Sequence, residues 1–355
     1  MMDYSYQSHS AKKILKDVLN PHNEASILAA TPGSGKTTIS QIVISDYIKK
    51  YPNARVLVLA HGQTLLKNQY LDSLKEPNVK IDFTFGEFSS KFLGPQVQVG
   101  LPQAIHKYPH DTIDLLVVDE CHEFYLKPMV QSIIKKLKPK HQVLLTGSPS
   151  EFNKLIKEGK KYGITYISGD DLVNNNIFSS VEMEVVRVDY RKNAKESLSK
   201  MLNHAKKENK DLSKIMIAVR SVNEARNVAH YLKSIGRKVA LSTHKNDRCN
   251  VMVKEFKKGN YDALVVVNRG ILGFSDNNIT GLFDIRCSKD VDISNQLFAR
   301  VLRKHPKDIL KFYYRCGQKE KNDFNNQVIM LHKIKAMMRN DIFKTYDGTN
   351  MEVCQ

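Results

Sequence analysis

A chain of 355 residues, 41% hydrophobic and 26% charged, has room for two ordinary domains and the composition of a water-soluble globular protein. No run approaches the ~18 apolar residues of a membrane span. The opening Met-Met-Asp-Tyr-Ser-Tyr-Gln lacks the basic and apolar blocks of a secretory leader, so no membrane contact is expected and the cytoplasm is the expected compartment. Five scattered cysteines, Cys121, Cys249, Cys287, Cys316 and Cys354, fit a reducing compartment better than a disulfide framework. Lys and Arg exceed Asp and Glu by 18, which attracts polyanions, nucleic acid foremost. A lysine-rich host composition would give the same excess, so the motifs must decide.

The first predicted strand, Ser26–Ala30, runs into Thr31-Pro32-Gly33-Ser34-Gly35-Lys36-Thr37-Thr38, followed by helical spacing through Ile44. A strand, a glycine-bearing turn and a helix N-terminus form a P-loop, whose amides and helix end favour phosphate. Gly33 and Gly35 let the backbone approach closely. Lys36 is expected to reach the β- and γ-phosphates, and the Thr37 hydroxyl to ligate Mg²⁺.

Further strands are predicted at Arg55–Ala60, Val97–Leu101, Ile113–Val118 and Gln142–Thr146, with helices at Thr64–Ser73 and Leu126–Leu137. Ile113–Val118 ends in Asp119-Glu120, and ligands in open α/β sheets gather beyond the carboxyl ends of strands. Asp119 is therefore placed on the Mg²⁺ and Glu120 on the attacking water. Cys121 and His122 lack a second Cys/His pair at ligand spacing, which argues against zinc.

A second series of strands, Lys214–Val219, Lys238–Ser242, Ala263–Asn268, Gly281–Ile285 and Leu310–Tyr314, follows a basic helix from Ala194. Its helices are Val222–Ser234 and Cys249–Lys258, and it has no P-loop. Alternating strands and helices predict an α/β protein with two mostly parallel sheets. The expected domains are 1–190, 191–320 and a C-terminal helix and tail at 321–355, with the helix around Gln327–Asn340.

From about Gln7 to Arg303 the chain resembles superfamily 2 helicases and translocases of the Asp-Glu-x-His type. The P-loop corresponds to motif I, Val56–Leu66 to motif Ia, Val99–Gln103 to Ib, Asp119–His122 to II and Thr146–Pro149 to III. Ile217–Ser221 resembles motif IV, Val265–Asp276 motif V and Gln296–Arg303 motif VI. The resemblance implies two RecA-like lobes, each a sheet flanked by helices, with ATP and Mg²⁺ in the cleft between them. It implies that Gln7 reads adenine, that residues from Pro32 to Thr38 hold the phosphates, and that Gln296, Arg300 and Arg303 act from the second lobe. The two arginines lie at i and i+3 on one helix face and suit arginine fingers, Arg300 first. It places His61, Gln63, Gln103, Ser148, Arg220 and Arg269 on nucleic acid; an ordinary surface or core histidine explains His61 equally well. Ala299 stands where the family has Gly, Ser275 where many relatives have Asp, and Thr-Gly-Ser replaces the usual Thr-Ala-Thr or Ser-Ala-Thr.

The expected activity is an ATP-dependent nucleic-acid helicase or translocase, DNA favoured over RNA. The Asp-Glu-x-His form, Tyr6-Gln7 and Gly-Phe-Ser-Asp resemble the DNA-repair and recombination branch, including small phage branch-migration helicases of the UvsW kind. Compact length and a Lys/Asn-rich composition suit a viral or phage enzyme, acting in the host cytoplasm as a monomer. The alternatives are an RNA helicase or RNA-stimulated ATPase, and an ATP-gated clamp or assembly factor without processive unwinding. No protein partner is named by the sequence.

Overall fold

The structure, a computed structural model, describes residues 5–60, 81–84, 97–101, 112–147, 160–188, 193–243, 251–267, 276–318 and 321–339. The chain divides into two compact domains between Gly169 and Asp170, the second running to Met338. No described helix is long and apolar enough to cross a membrane.

The first domain holds α1 (Ser5–Val18), β1 (Asn23–Ala30), α2 (Lys36–Lys50), β2 (Val56–Leu59), β3 (Ile81–Thr84), β4 (Val97–Gly100), β5 (Leu115–Val118), α3 (Pro128–Leu137), β6 (His141–Thr146) and β7 (Lys161–Ile167). Its seven strands run in the order β3-β4-β2-β5-β6-β1-β7, and every pair is parallel. The central strands are apolar along their length because helices flank the sheet; Ile27, Leu28, Val117, Val118, Leu144 and Leu145 are all fully buried. The register seats β6 between β1 and β5, with Ala29 opposite Thr146 and Val118 opposite Leu144. The residues that follow these three strands therefore emerge side by side at one edge.

The second domain holds most of α4 (Gly169–Asn174), then β8 (Val181–Arg187), α5 (Ala194–Lys207), β9 (Ile215–Val219), α6 (Val222–Ser234), β10 (Val239–Ser242), α7 (Val251–Lys257), β11 (Ala263–Val267), β12 (Gly281–Asp284), α8 (Val291–Leu302), β13 (Lys311–Gly317) and α9 (Lys321–Arg339). The order is β10-β11-β9-β12-β13-β8, again all parallel. Helix starts carry oxygen caps: Asn193 accepts from the amides of Lys195 and Glu196, Ser221 from Glu224 and Asp290 from Ile293.

The division corrects two sequence expectations. The boundary lies near 169 rather than 190, because β8 pairs with β13 along its whole length, from Lys311 opposite Val181 to Gly317 opposite Arg187. The C-terminal helix is part of the second domain rather than a separate tail. Arg187 stacks 4.3 Å from the Phe324 ring centroid, and Arg315 donates to Gln327 at 2.9 Å.

β13 carries two buried cations. Arg315, with no exposed surface, faces Asp284 at 3.3 Å. Lys311, equally buried, donates to the carbonyls of Asn277 at 3.0 Å and Arg303 at 2.5 Å. Burial pushes its amine down from the ordinary lysine value to about 7, against the pull of Asp276. Between about 7 and the ordinary value the unfolded chain thus holds a proton that the folded chain has released, so this group adds stability as pH rises through that window. Urea midpoints at pH 6.5, 8 and 9.5 should show the wild-type chain gaining on a Lys311→Met variant at each step; parallel pH dependences would contradict this.

Candidate active site

β1 delivers its chain into a turn from Thr31 to Gly35, and α2 begins at Lys36. Gly33 and Gly35 have φ of 89° and 87°, left-handed values that residues with a Cβ adopt only at a cost. A Cβ on Gly35 would also sit 2.4 Å from Gln7 Nε2. No side chain caps the start of α2, so its amides and positive dipole end are left for an anion. Inside the turn, Ser34 Oγ is buried without a hydrogen-bond partner. α1 closes the turn from above its backbone: the Tyr6 hydroxyl donates to Ser34 O at 2.6 Å, and Gln7 Nε2 donates to the Tyr6 oxygen at 3.2 Å.

Lys36 is buried and reaches back across the turn, its Nζ 3.4 Å from Ala30 O and 3.8 Å from Glu120 Oε1. Glu120 follows β5 with φ 47° and ψ 48°. A non-glycine residue held left-handed costs of order 1 kcal/mol or more and is concentrated at functional sites. Its amide donates to Asp119 Oδ1 at 2.9 Å, and Asp119 is buried, its own amide bonded to Leu59 O at 2.8 Å. From β6, Thr146 Oγ1 lies 3.1 Å from His122 Nδ1, which is 3.6 Å from Glu120 Oε2. A Cβ on Gly147 would stand 2.7 Å from Lys36 Nζ. The three strand ends thus converge on one lysine and one glutamate. Cys121 packs in the core with Leu116, Phe124 and Val130, and burial, with Glu120 and Asp119 nearby, pushes its thiol well up, so it is a core residue.

These residues fit a nucleoside triphosphate with a divalent cation. The uncapped helix start, the unpartnered buried Ser34 hydroxyl and the glycine turn match phosphate oxygens. Thr37 and Asp119 offer the hard oxygen donors that Mg²⁺ takes. Thr38 is exposed and Pro32 half-buried at the same turn.

In the second domain, Gln296, Arg300 and Arg303 are half-buried along α8 and just past its end, spaced i, i+4 and i+7 on one face. Ala299 is buried, which accounts for a small residue there. Near the helix end the buried pair Lys214–Asp276 closes at 2.7 Å. Loss of hydration lowers the Lys257 amine, with Asp276 opposing and Arg303, Arg300 and Lys214 adding repulsion. Arg220 leaves β9 with its guanidinium on Glu224 and its amide donating to that carboxylate at 3.0 Å, one third of the side chain exposed. The other nucleic-acid expectations, His61, Gln63, Gln103, Ser148 and Arg269, lie outside the described residues.

Sequence reasoning missed Lys214 and Lys311, whose only signal is a charge at the start of an apolar strand run. It also missed the contact of Thr146 with His122, which the motif order contains but no spacing reveals.

The Type III restriction enzyme, res subunit family matches residues 1–151. No curated protein sequence matches the chain. Among solved structures, the chain is similar to a fragment of an HsdR subunit of a type I restriction enzyme from Vibrio vulnificus YJ016, at TM-score 0.70 and 15% identity, over 90% of this chain and 65% of that one. It therefore spans under two thirds of that fragment. It is also similar to Saccharomyces cerevisiae Dbp5 bound to RNA and ADP BeF3, at TM-score 0.65 and 14% identity, over 94% of this chain and 90% of that one. A DEAD box protein from the hyperthermophile Methanococcus jannaschii follows at TM-score 0.53 and 18% identity, with the same coverages. Two helix-flanked parallel-sheet domains, the first with a glycine-bearing turn between β1 and α2, are the fold that this chain shares with these structures.

Proposed function

We propose that the protein is an ATP-dependent nucleic-acid helicase or translocase acting on DNA. The observation that carries this reading is the convergence of Lys36, Glu120, His122 and Thr146 at the ends of β1, β5 and β6. Lys36 and the turn amides bind and orient the triphosphate. Thr37 and Asp119 hold Mg²⁺, which when bound neutralises charge on the phosphate oxygens. Glu120 accepts a proton from the attacking water, and His122, shared between Glu120 and Thr146, orients that carboxylate. Arg300 and Arg303, the pair that the sequence resemblance assigns to this role, would stabilise charge on the transferring phosphoryl group. Cycles of nucleotide binding and release, coupled to strand contacts through residues such as Arg220, would move the protein along a strand.

The Asp-Glu-x-His form and the restriction-subunit match favour DNA. RNA is the second reading, because the similar Dbp5 structure holds RNA; sensitivity to 2′-hydroxyls separates the two. A monomeric, phage-like branch-migration enzyme is the form this reading takes.

The test is steady-state ATP turnover with no polynucleotide, single-stranded DNA, branched DNA and RNA. DNA should stimulate, and Glu120→Gln should lower kcat on the order of 10²–10⁴-fold. Stimulation by RNA alone selects the second reading, and turnover indifferent to every polynucleotide rejects both. Arg300→Ala should cost about 10³-fold in kcat. Gly147→Val, by driving Lys36 from its place, should lower kcat/KM for ATP by up to about 10²-fold while leaving the unfolding midpoint nearly unchanged.

A further inference from the structure

Alternate residues of a strand share one face, and on β13 the face carrying Lys311, Tyr313 and Arg315 meets α8 at three levels. At the start of the helix, Arg315 Nη2 donates to the carbonyl of Ser288 at 2.6 Å, just before the Asp290 cap. Midway, the Tyr313 ring packs against Phe298, centroids 5.3 Å apart at 62°. At the helix end, Lys311 Nζ donates to the carbonyl of Arg303 at 2.5 Å. Five residues of strand span about 13 Å and twelve of helix about 18 Å, so the two side-chain cations reach the two ends of α8 from one strand.

The Lys311 end does more than cap. Arg303 leaves the helix with φ −53° and ψ 133°, which turns its carbonyl away from the helix ladder; the Ser179 amide takes the Leu302 carbonyl at 2.7 Å, and Lys311 takes that of Arg303. The same amine donates to the carbonyl of Asn277 at 3.0 Å, in the turn where Asp276 Oδ1 accepts from the Asn278 amide at 2.9 Å. Asp276 is in turn the partner of Lys214. The Ser179 hydroxyl lies 3.5 Å from the same Arg303 carbonyl. An uncompensated buried amine is costly, and an apolar residue would fill this strand position without that cost. What only a long donor-rich side chain supplies is the joint between two loops.

We propose that Lys311 is a positioning residue for Arg300 and Arg303, fixing the end of their helix on the turn that begins at Asp276. This rests on the ATPase reading above. Its consequence is that the two arginines keep their place through a residue that touches neither nucleotide nor nucleic acid.

The experiment compares full-length wild-type, Lys311→Met, Lys311→Gln, Arg300→Ala and the Lys311→Met/Arg300→Ala double variant, reading ATP turnover with oligo-dT and with RNA across ATP concentrations. Lys311→Met should lower kcat about tenfold or more, with KM for ATP within about twofold, as expected when an interaction made only in the transition state is misplaced. Lys311→Gln, which still donates N–H, should recover part of the loss. The double variant should be little worse than Arg300→Ala alone, since the two residues act as a unit. Fully additive losses, unchanged kcat, or equal losses in the Met and Gln variants would overturn the proposal, as would failure of both single variants to fold. Wild-type turnover that Lys311→Met leaves intact defeats the proposal alone, whereas absence of turnover in the wild-type chain defeats the ATPase reading and the proposal with it.

Discussion

The parallel register that seats β6 between β1 and β5 is the constraint on which the first site depends. Because all three strands point the same way, the turn after β1, the carboxylates after β5 and the Thr-Gly after β6 must leave the sheet at one edge. Residues 36, 120, 122 and 146 then become neighbours without any of them being selected for contact one at a time. Local strain completes the arrangement. Glu120 is held left-handed, and the hydrogen bond from its amide to Asp119 compensates part of that cost. Gly147 supplies the room in which Lys36 lies.

The second domain uses the same sheet grammar to a different end. Its helix α8 is packed by its middle through Phe298 and Tyr313, but its ends are held by hydrogen bonds from Lys311 and Arg315. Asp284 sits at the centre of the network at the start of the helix: it accepts from the Tyr313 hydroxyl at 2.9 Å and faces Arg315 at 3.3 Å and Arg286 at 3.9 Å. Apolar packing resists separation better than it resists sliding along a strand. Directional bonds to the Ser288 and Arg303 carbonyls fix the axial position, which is what a helix presenting two arginines requires.

The sequence shows the interior of each sheet better than its rims. Ten strands follow from short apolar runs, and the helix Val222–Ser234 is where its spacing puts it. The three strands that escaped, β3, β7 and β8, all lie at sheet edges. β7 alternates exposed or half-exposed with buried residues as Lys161-Tyr162-Gly163-Ile164-Thr165-Tyr166-Ile167, and β8 carries Glu182 and Glu184. An edge strand with one wet side lacks the continuous apolar run of a central one. The domain boundary expected near 190 is late for the same reason, since β8 is the strand that carries the chain into the second sheet. The glycine turn after β1 and the two carboxylates after β5 were legible because each directly follows a continuous apolar strand run. Lys214 and Lys311 were not, because their partners are a carboxylate and backbone carbonyls distant in sequence.

The net charge of +18 must be read with these interior cations in mind. Lys36, Lys214, Arg286, Lys311 and Arg315 are all buried, and four of them lie within 4 Å of a carboxylate, Lys36 beside Glu120, Lys214 beside Asp276, and Arg286 and Arg315 beside Asp284. A charge so placed contributes little to long-range attraction of a polyanion, since its field is largely cancelled within a few ångströms. The excess that can draw a nucleic-acid backbone therefore resides on the surface lysines, which have no fixed geometry and so bind phosphate without selecting sequence. Geometry is spent on the buried cations instead, where each holds a particular carbonyl or carboxylate. The division separates attraction by diffuse surface charge from positioning by buried basic side chains.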